Sequence, residues 1–396
     1  MCGTALGTLV RFRKWGFRPA RTGRVVDRQI SHLRYGKPRR SRRGGCHSYA
    51  GTRHNPSATP PREQPEAAWS FVDASEQINS LVVSQDAVFA RTRAELVAID
   101  KETGQERWRK QRDGWGYVSY MEGRVYDVSR DTVIALDGDG AEQWSISIKK
   151  FHHARLIEHE GWVYVLARNR FACVHADSGE ILVETALDDD DMSHYFPVTD
   201  GHRIFAGDSK LFGYEVVDNR FEKRWESQMA PQRLYGFMAT DNGLLFRAGF
   251  STLVSDATRG RLSIHDVEDG SLRAEQTFET VPRSPAVVDG IVFVSTSTVS
   301  SDNIGDDGKL VALSSEGELL WEYTPEASLQ PPVVANDTLY TGPFANREAP
   351  LIAFDATSGE ELWREDPDTL QGSVELAIAG DMLYVADGTR VRALRT

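Results

Sequence analysis

The side chains able to do acid–base, metal or anion chemistry recur at one kind of place in this sequence. Tyr117, His152, His153, Arg155, His194, Tyr195, Tyr235, Arg283 and Gln330 each stand at or near the start of a short strand-like run that opens a repeating unit. Histidines and arginines brought to one point could hold an anion or, through imidazole nitrogen, a metal ion. Side chains that satisfy backbone groups and fill a narrow channel would give the same pattern, so both readings stand. Asp188–Asp191 and the run from Asp302 to Gly308 offer oxygen ligands of the kind Ca²⁺ takes, but neither follows the spacing of a helix–loop–helix calcium loop. His175 and His265 occupy repeat positions otherwise held by Asp or an apolar residue, and structural roles are expected of both. A glycine-rich phosphate loop, a G-x-S-x-G elbow and an H-E-x-x-H zinc site are all missing from the sequence.

What would position these residues is a repeat. An apolar strand is followed by Asp, a few polar residues, Gly, three more residues and Trp. The clear copies carry Gly104 with Trp108, Gly140 with Trp144, Gly317 with Trp321 and Gly359 with Trp363. Weaker copies carry Gly179 with Val183, Gly270 with Ala274, and Trp225 alone. Two further strand signals precede each copy, split by turn pairs such as Asp289-Gly290 and Gly380-Asp381, which accept positive φ and mark hairpins. Four short strands per unit predict a propeller blade. The last unit ends before its Gly and Trp, while the body opens with an unpaired Trp69-Ser70-Phe71. Pairing that first strand with the last unit removes the exposed edge and counts eight blades. Seven is the alternative if the long unit between Trp225 and Ala274 is misread.

Charge divides the chain. Residues 1–62 hold 15 Lys+Arg against one acid, and residues 63–396 hold 31 against 57. The first part reads as a basic disordered arm and linker, the second as one β-propeller domain. A body this acidic repels nucleic acid and anionic lipid, so no nucleic acid is expected for the propeller. Within it, seven Lys stand against 24 Arg and 30 Asp, a balance that suits a hydrated surface at high salt. The three cysteines, Cys2, Cys46 and Cys173, are too scattered for a disulfide framework. Gly44-Gly45-Cys46 before a small polar linker has the look of a lipidation site, although the apolar segment that should precede it is missing and Arg43 stands where leucine is usual. Residues 1–45 as a misassigned start replacing a signal peptide would account for that; a genuine basic tail is the alternative.

The wording A-[LIF]-D-x(2,3)-G-x(3)-W resembles the pyrroloquinoline-quinone (PQQ) repeat family over nearly all of residues 69–396. Its members include quinoprotein alcohol dehydrogenases and the outer-membrane assembly lipoprotein BamB, a non-enzymatic scaffold, with similar stand-alone propellers in salt-loving archaea. In the dehydrogenases the resemblance implies an axial quinone stacked between a Trp and a disulfide of adjacent cysteines, beside Ca²⁺ held by Glu, Asn and Asp. No two cysteines here are adjacent. The expectation is therefore a monomeric protein-binding or assembly scaffold without a cofactor, outside the cytoplasm and membrane-attached through a lipid on Cys46. A quinone- or metal-dependent oxidoreductase using the funnel, with PQQ or Ca²⁺, is the alternative.

Overall fold

The structure is a computed structural model. It describes Asn55 and residues 57–396 apart from 130–131, 149–154, 160, 168–169, 187–196, 201, 208–209, 218–219, 229–233, 252–258, 299–307 and 345–348. Its strands form eight antiparallel sheets among the described residues. In chain order these are blade 1 (80–111), blade 2 (116–147), blade 3 (155–186), blade 4 (198–228), blade 5 (234–278), blade 6 (281–323), blade 7 (333–365) and blade 8 (374–395). Each meanders through strands a, b, c and d. From blade 4 round the ring to blade 3, first strands of successive blades touch one another, which places strand a at the axis and strand d at the rim. The long unit between Trp225 and Ala274 is a true blade, so the count is eight and not seven.

Blade 8 supplies three strands of its own. Its strand d is Glu66–Phe71 from the start of the body, paired antiparallel with Arg390–Arg395 so that Trp69 faces Ala393. The ring closes as the sequence predicts, and this sheet presents no free edge strand at the junction.

Burial follows the order of strands. In blade 1, strands a to c are buried almost throughout, whereas the rim strand Glu106–Gln111 is exposed or half-buried. In blade 2 the rim strand Glu142–Ser147 buries only Trp144 fully. That indole explains the repeat motif. Five of the six repeat tryptophans donate Nε1–H to a carbonyl in the c–d turn of the next blade: Trp69 to Lys101, Trp108 to Gly138, Trp144 to Ala176, Trp225 to Val267 and Trp321 to Ala356, at 2.7 to 2.9 Å. The glycine of that turn lies under the indole. A Cβ on Gly104, Gly140, Gly179, Gly270 or Gly359 would meet the ring of the preceding blade's Trp at 2.5 to 2.9 Å, and each has φ between +71° and +82°. Only glycine meets both demands. The Asp of the motif holds the same turn: Asp100 Oδ1 accepts from the backbone N–H and hydroxyl of Thr103, and Arg107 bonds its Oδ2, holding the carboxyl at about 2.

Behind each indole lies an aromatic from strand b of its own blade, with a small residue of strand c between them. Phe89–Ala98–Trp108, Tyr126–Ala135–Trp144, Phe205–Gly213–Trp225, Phe293–Ala312–Trp321, Tyr340–Ala353–Trp363 and Tyr384–Ala393–Trp69 all share this register. Ring centroids in these pairs are 5.7 to 6.0 Å apart. Where the Trp is lost, the middle residue is larger. Cys173 lies beside Val183 and Ile264 beside Ala274, returning part of the missing volume. Gly317, the turn glycine facing Ala274, accordingly meets only that methyl, at 3.3 Å.

Trp363 has no following c–d turn to bind, because blade 8 joins its strands c and d across the chain ends. Its indole donates instead to Pro61 O at 3.0 Å, which also accepts from Tyr340 Oη at 3.0 Å. The stretch that carries Pro61 is docked on blades 7 and 8. Asn55 N–H bonds Val334 O, Thr59 N–H bonds Gly380 O, and Ala58 is fully buried. Composition assigns these residues to the linker; their backbone replaces the turn that the last blade lacks.

Candidate functional site

The axial end of the propeller formed by the d-to-a connections is where the sequence places its chemistry-bearing residues. His152, His153, His194, Tyr195, Cys46, Asp188–Asp191 and the run from Asp302 to Asp307 lie outside the described residues. Arg155 opens strand a of blade 3 and Tyr235 is the second residue of strand a of blade 5. Tyr117, in strand a of blade 2, packs at the margin of the apolar core shared with blade 3. The structure brings two of the expected residues together. Arg283 and Gln330 line one cleft of about 160 Å³, with Phe237, Ser284, Pro331, Phe344, Val374, Glu375 and Leu376. Apart from Phe344, from the b–c connection of blade 7, these residues come from the starts of blades 5, 6, 7 and 8, so the cleft sits on the axial wall.

Local backbone explains how each polar group arrives there. Strand a of blade 6 is split into Val281–Pro282 and Ala286–Val288, both pairing with Ile291–Ser297. The interruption carries Arg283 and Ser284 toward the axis, while Arg283 N–H still bonds Ser295 O. The guanidinium lies 3.7 Å from the centroid of the Phe344 ring and donates Nη2–H to Ser297 Oγ at 2.6 Å. Burial pulls its pKa down to about 10. Gln330 donates Nε2–H to Ser373 Oγ at 2.7 Å, and its backbone carbonyl accepts from Thr341 Oγ1. Phe344, Ser284 and Glu375 were not legible as site residues, because they are reached through a broken strand and a neighbouring blade.

The two singled-out repeat histidines are structural. His265 is buried, with Nδ1 3.0 Å from Gly270 O, and burial lowers its pKa. His175 meets Ser178 Oγ at 3.3 Å and stands edge-on to Trp162. Cys173 is buried in strand c of blade 3, and burial pushes its thiol up to about 12.

Another feature on the same face lies outside the repeat pattern. Trp115, in the connection from blade 1 to blade 2, is 63% exposed. The Arg93 guanidinium, from the b–c turn of blade 1, lies 4.9 Å from its ring centroid. Beneath them a buried ion cluster joins the blades: Arg91 Nε bonds Asp127 Oδ1 at 2.9 Å, and Arg112 pairs with Asp127 Oδ2. Three of the nine tryptophans, Trp15, Trp115 and Trp162, stand off the motif, and that is the partial signal that could have marked Trp115.

Repeat, ring closure and axial cleft together define an eight-bladed β-propeller of PQQ-like repeats. The chain belongs to the family described as outer membrane protein assembly factor BamB, whose sequence profile matches residues 62–147, 129–284 and 258–396. No curated protein sequence matches it. Among solved structures it is similar to BamB from Moraxella catarrhalis, at TM-score 0.62 and 16% identity over 84% of this chain and 100% of that one. It is also similar to a europium-containing methanol dehydrogenase, at 0.63 and 11% over 87% and 96%, and to the quinohemoprotein alcohol dehydrogenase from Comamonas testosteroni, at 0.62 and 13% over 87% and 78%. At these identities the likeness is one of fold.

The name of the quinohemoprotein alcohol dehydrogenase points to a quinone, against which the cleft can be measured. A tricyclic quinone needs a well in the usual ligand-site range of roughly 300 to 1,000 Å³. The described cleft offers about 160 Å³, and neither Trp nor Cys lines it. Among the described residues no three His, Cys, Asp or Glu side chains converge as metal ligands. The described residues do not fit the group.

Proposed function

We propose that this protein is a non-catalytic, BamB-like scaffold that binds another protein through the face bearing the d-to-a connections. The observation that carries this reading is the cleft of the described axial residues, which at about 160 Å³ falls short of the roughly 300 Å³ from which ligand wells usually start. The family description, an assembly factor, agrees with it. Trp115 with Arg93 supplies the exposed aromatic and guanidinium that protein interfaces favour at their centres. The protein acts as a monomer outside the cytoplasm, attached to the membrane through a lipid on Cys46, and its acidic surface suits high salt.

The test is a photo-crosslinking amino acid placed at Trp115, and separately at Glu142 on the exposed rim strand, in the protein's own cells. A protein adduct at 115 that is absent at 142 is expected. Absence of any adduct at 115, together with quinone or Ca²⁺ co-purifying and supporting dye reduction, would overturn the scaffold reading in favour of an oxidoreductase. Intact-mass measurement of the same material reads the lipid on Cys46.

A further inference from the structure

We infer that the axial cleft between blades 5 and 8 binds a small carboxylate with a flat apolar body, Arg283 supplying the counter-charge. The inference rests on the fold and the cleft, and stands whether or not the protein is a scaffold.

Its first support is a missing partner. Four well-covered arginines each have a carboxylate: Arg91 has Asp127 at 2.9 Å, Arg109 has Glu95 at 2.8 Å, Arg203 has Glu268 at 2.7 Å and Arg392 has Glu365 at 2.6 Å. Arg283 has none among the described residues. Among the described residues its guanidinium bonds one hydroxyl, and its Nε–H is buried without an acceptor. Burial is the one cause acting on its pKa, so no nearby anion offsets the desolvation, and Glu375, although it lines the cleft, does not pair with it. A half-buried guanidinium without a counter-ion carries part of the cost of an unpaired buried charge, and an anion entering the cleft would offset it.

The second support is the shape and lining of the space. A cavity of about 150 Å³ lined by apolar side chains accommodates a benzene ring. The cleft here is of that size, about 160 Å³, with Phe237, Pro331, Phe344, Val374 and Leu376 as apolar walls and one cation among them. That combination selects a ring-sized monocarboxylate over an inorganic anion, which would leave the walls wet, and over a neutral ring, which would leave Arg283 unpaired. A space of this size holds one ring and one carboxylate, which disfavours ligands that carry a second.

The test uses the full-length protein and ligand-observed NMR with benzoate, cyclohexanecarboxylate, benzamide, phthalate and inorganic phosphate as probes. Benzoate and cyclohexanecarboxylate should bind and displace each other, whereas benzamide, phthalate and phosphate should bind at least about tenfold more weakly, as expected for a lost charge-assisted bond, a second carboxylate that the space does not hold, or apolar walls left wet. R283Q should lose benzoate binding by a similar factor and R283K should keep part of it. The comparison of benzoate with benzamide on the unaltered protein decides the matter even if both variants fail to fold. Equal binding of benzoate and benzamide, or unchanged benzoate binding by a folded R283Q, would overturn the inference.

Discussion

The indole–glycine clasp between blades can be measured as a coupling energy. Trp225 is buried on Phe205, donates Nε1–H to Val267 O at 2.9 Å and covers Gly270, whose φ is +72°. A Cβ at Gly270 would meet ring atoms Cε3 and Cζ3 at 2.5 and 2.7 Å. Placing alanine there therefore costs twice: about 1 to 2 kcal/mol for a left-handed non-glycine residue, and about 1 to 3 kcal/mol for overpacking. W225A alone costs about 3 to 5 kcal/mol through its cavity. With the indole gone the overlap vanishes, so in the W225A background G270A should cost only its backbone strain. The cycle should thus show coupling of about 1 to 3 kcal/mol, well above the additivity error of about 0.5 kcal/mol. Gly123 gives the control, because its φ is +90° but nothing lies within 4 Å of a Cβ there, so G123A isolates the strain. Urea unfolding of the variants reads all these values. Costs of W225A and G270A that add to within about 0.5 kcal/mol would refute the clasp as an energetic contact.

Other contacts make shorter predictions. Glu158 sits buried against Arg124 and Tyr126 Oη, and burial raises its carboxyl to about 7. A raised carboxyl pKa adds stability that is complete below the unfolded value near 4.5 and lost as pH rises through about 7. Melting temperature should therefore fall between these values in the wild type more than in E158Q, and equal pH profiles would refute it. Removing residues 1–62 takes away the Pro61 acceptor shared by Trp363 and Tyr340, and should cost about 2 kcal/mol while removal of 1–54 costs almost none, as read by urea unfolding. D127A strands two guanidinium groups, Arg91 and Arg112, and should destabilise by about 3 to 5 kcal/mol in the same assay. The buried Cys173 thiol, pushed up to about 12, should resist alkylation until urea unfolds blade 3.

Blade number and ring closure were legible because they depend on local spacing. Trp69, stranded before the first complete unit, could be satisfied only by the last strand, Arg390–Arg395, and it is. The role of the motif glycines was half legible. Their conformation follows from the turn, but the indole above each belongs to the preceding blade, and a contact between units does not show within one unit's pattern. The aromatic of strand b was visible in principle: Phe89, Tyr126, Tyr164, Phe205, Phe246, Phe293, Tyr340 and Tyr384 recur in all eight blades. It was obscured because any apolar residue satisfies a buried strand. Pro61 was illegible for a different reason. A proline- and serine-rich stretch lacks hydrophobic period, yet its backbone carbonyl is what Trp363 requires, and carbonyls leave no trace in composition.

The same logic separates fold from function at the axis. Every blade contributes a strand start to that end, so many polar residues gather there whatever the protein does, and their number alone implies no chemistry. What distinguishes one of them is whether its charge is already answered. Gln330 is answered by Ser373, and Arg91 by Asp127. Arg283 is held by Phe344 and Ser297, contacts that fix its position without neutralising it. A scaffold needs no such group to stay folded, since replacing a buried ionic group with an apolar one is often neutral or stabilising. Its presence at the axis, at the end bearing Trp115, points to an anion that comes from outside the chain.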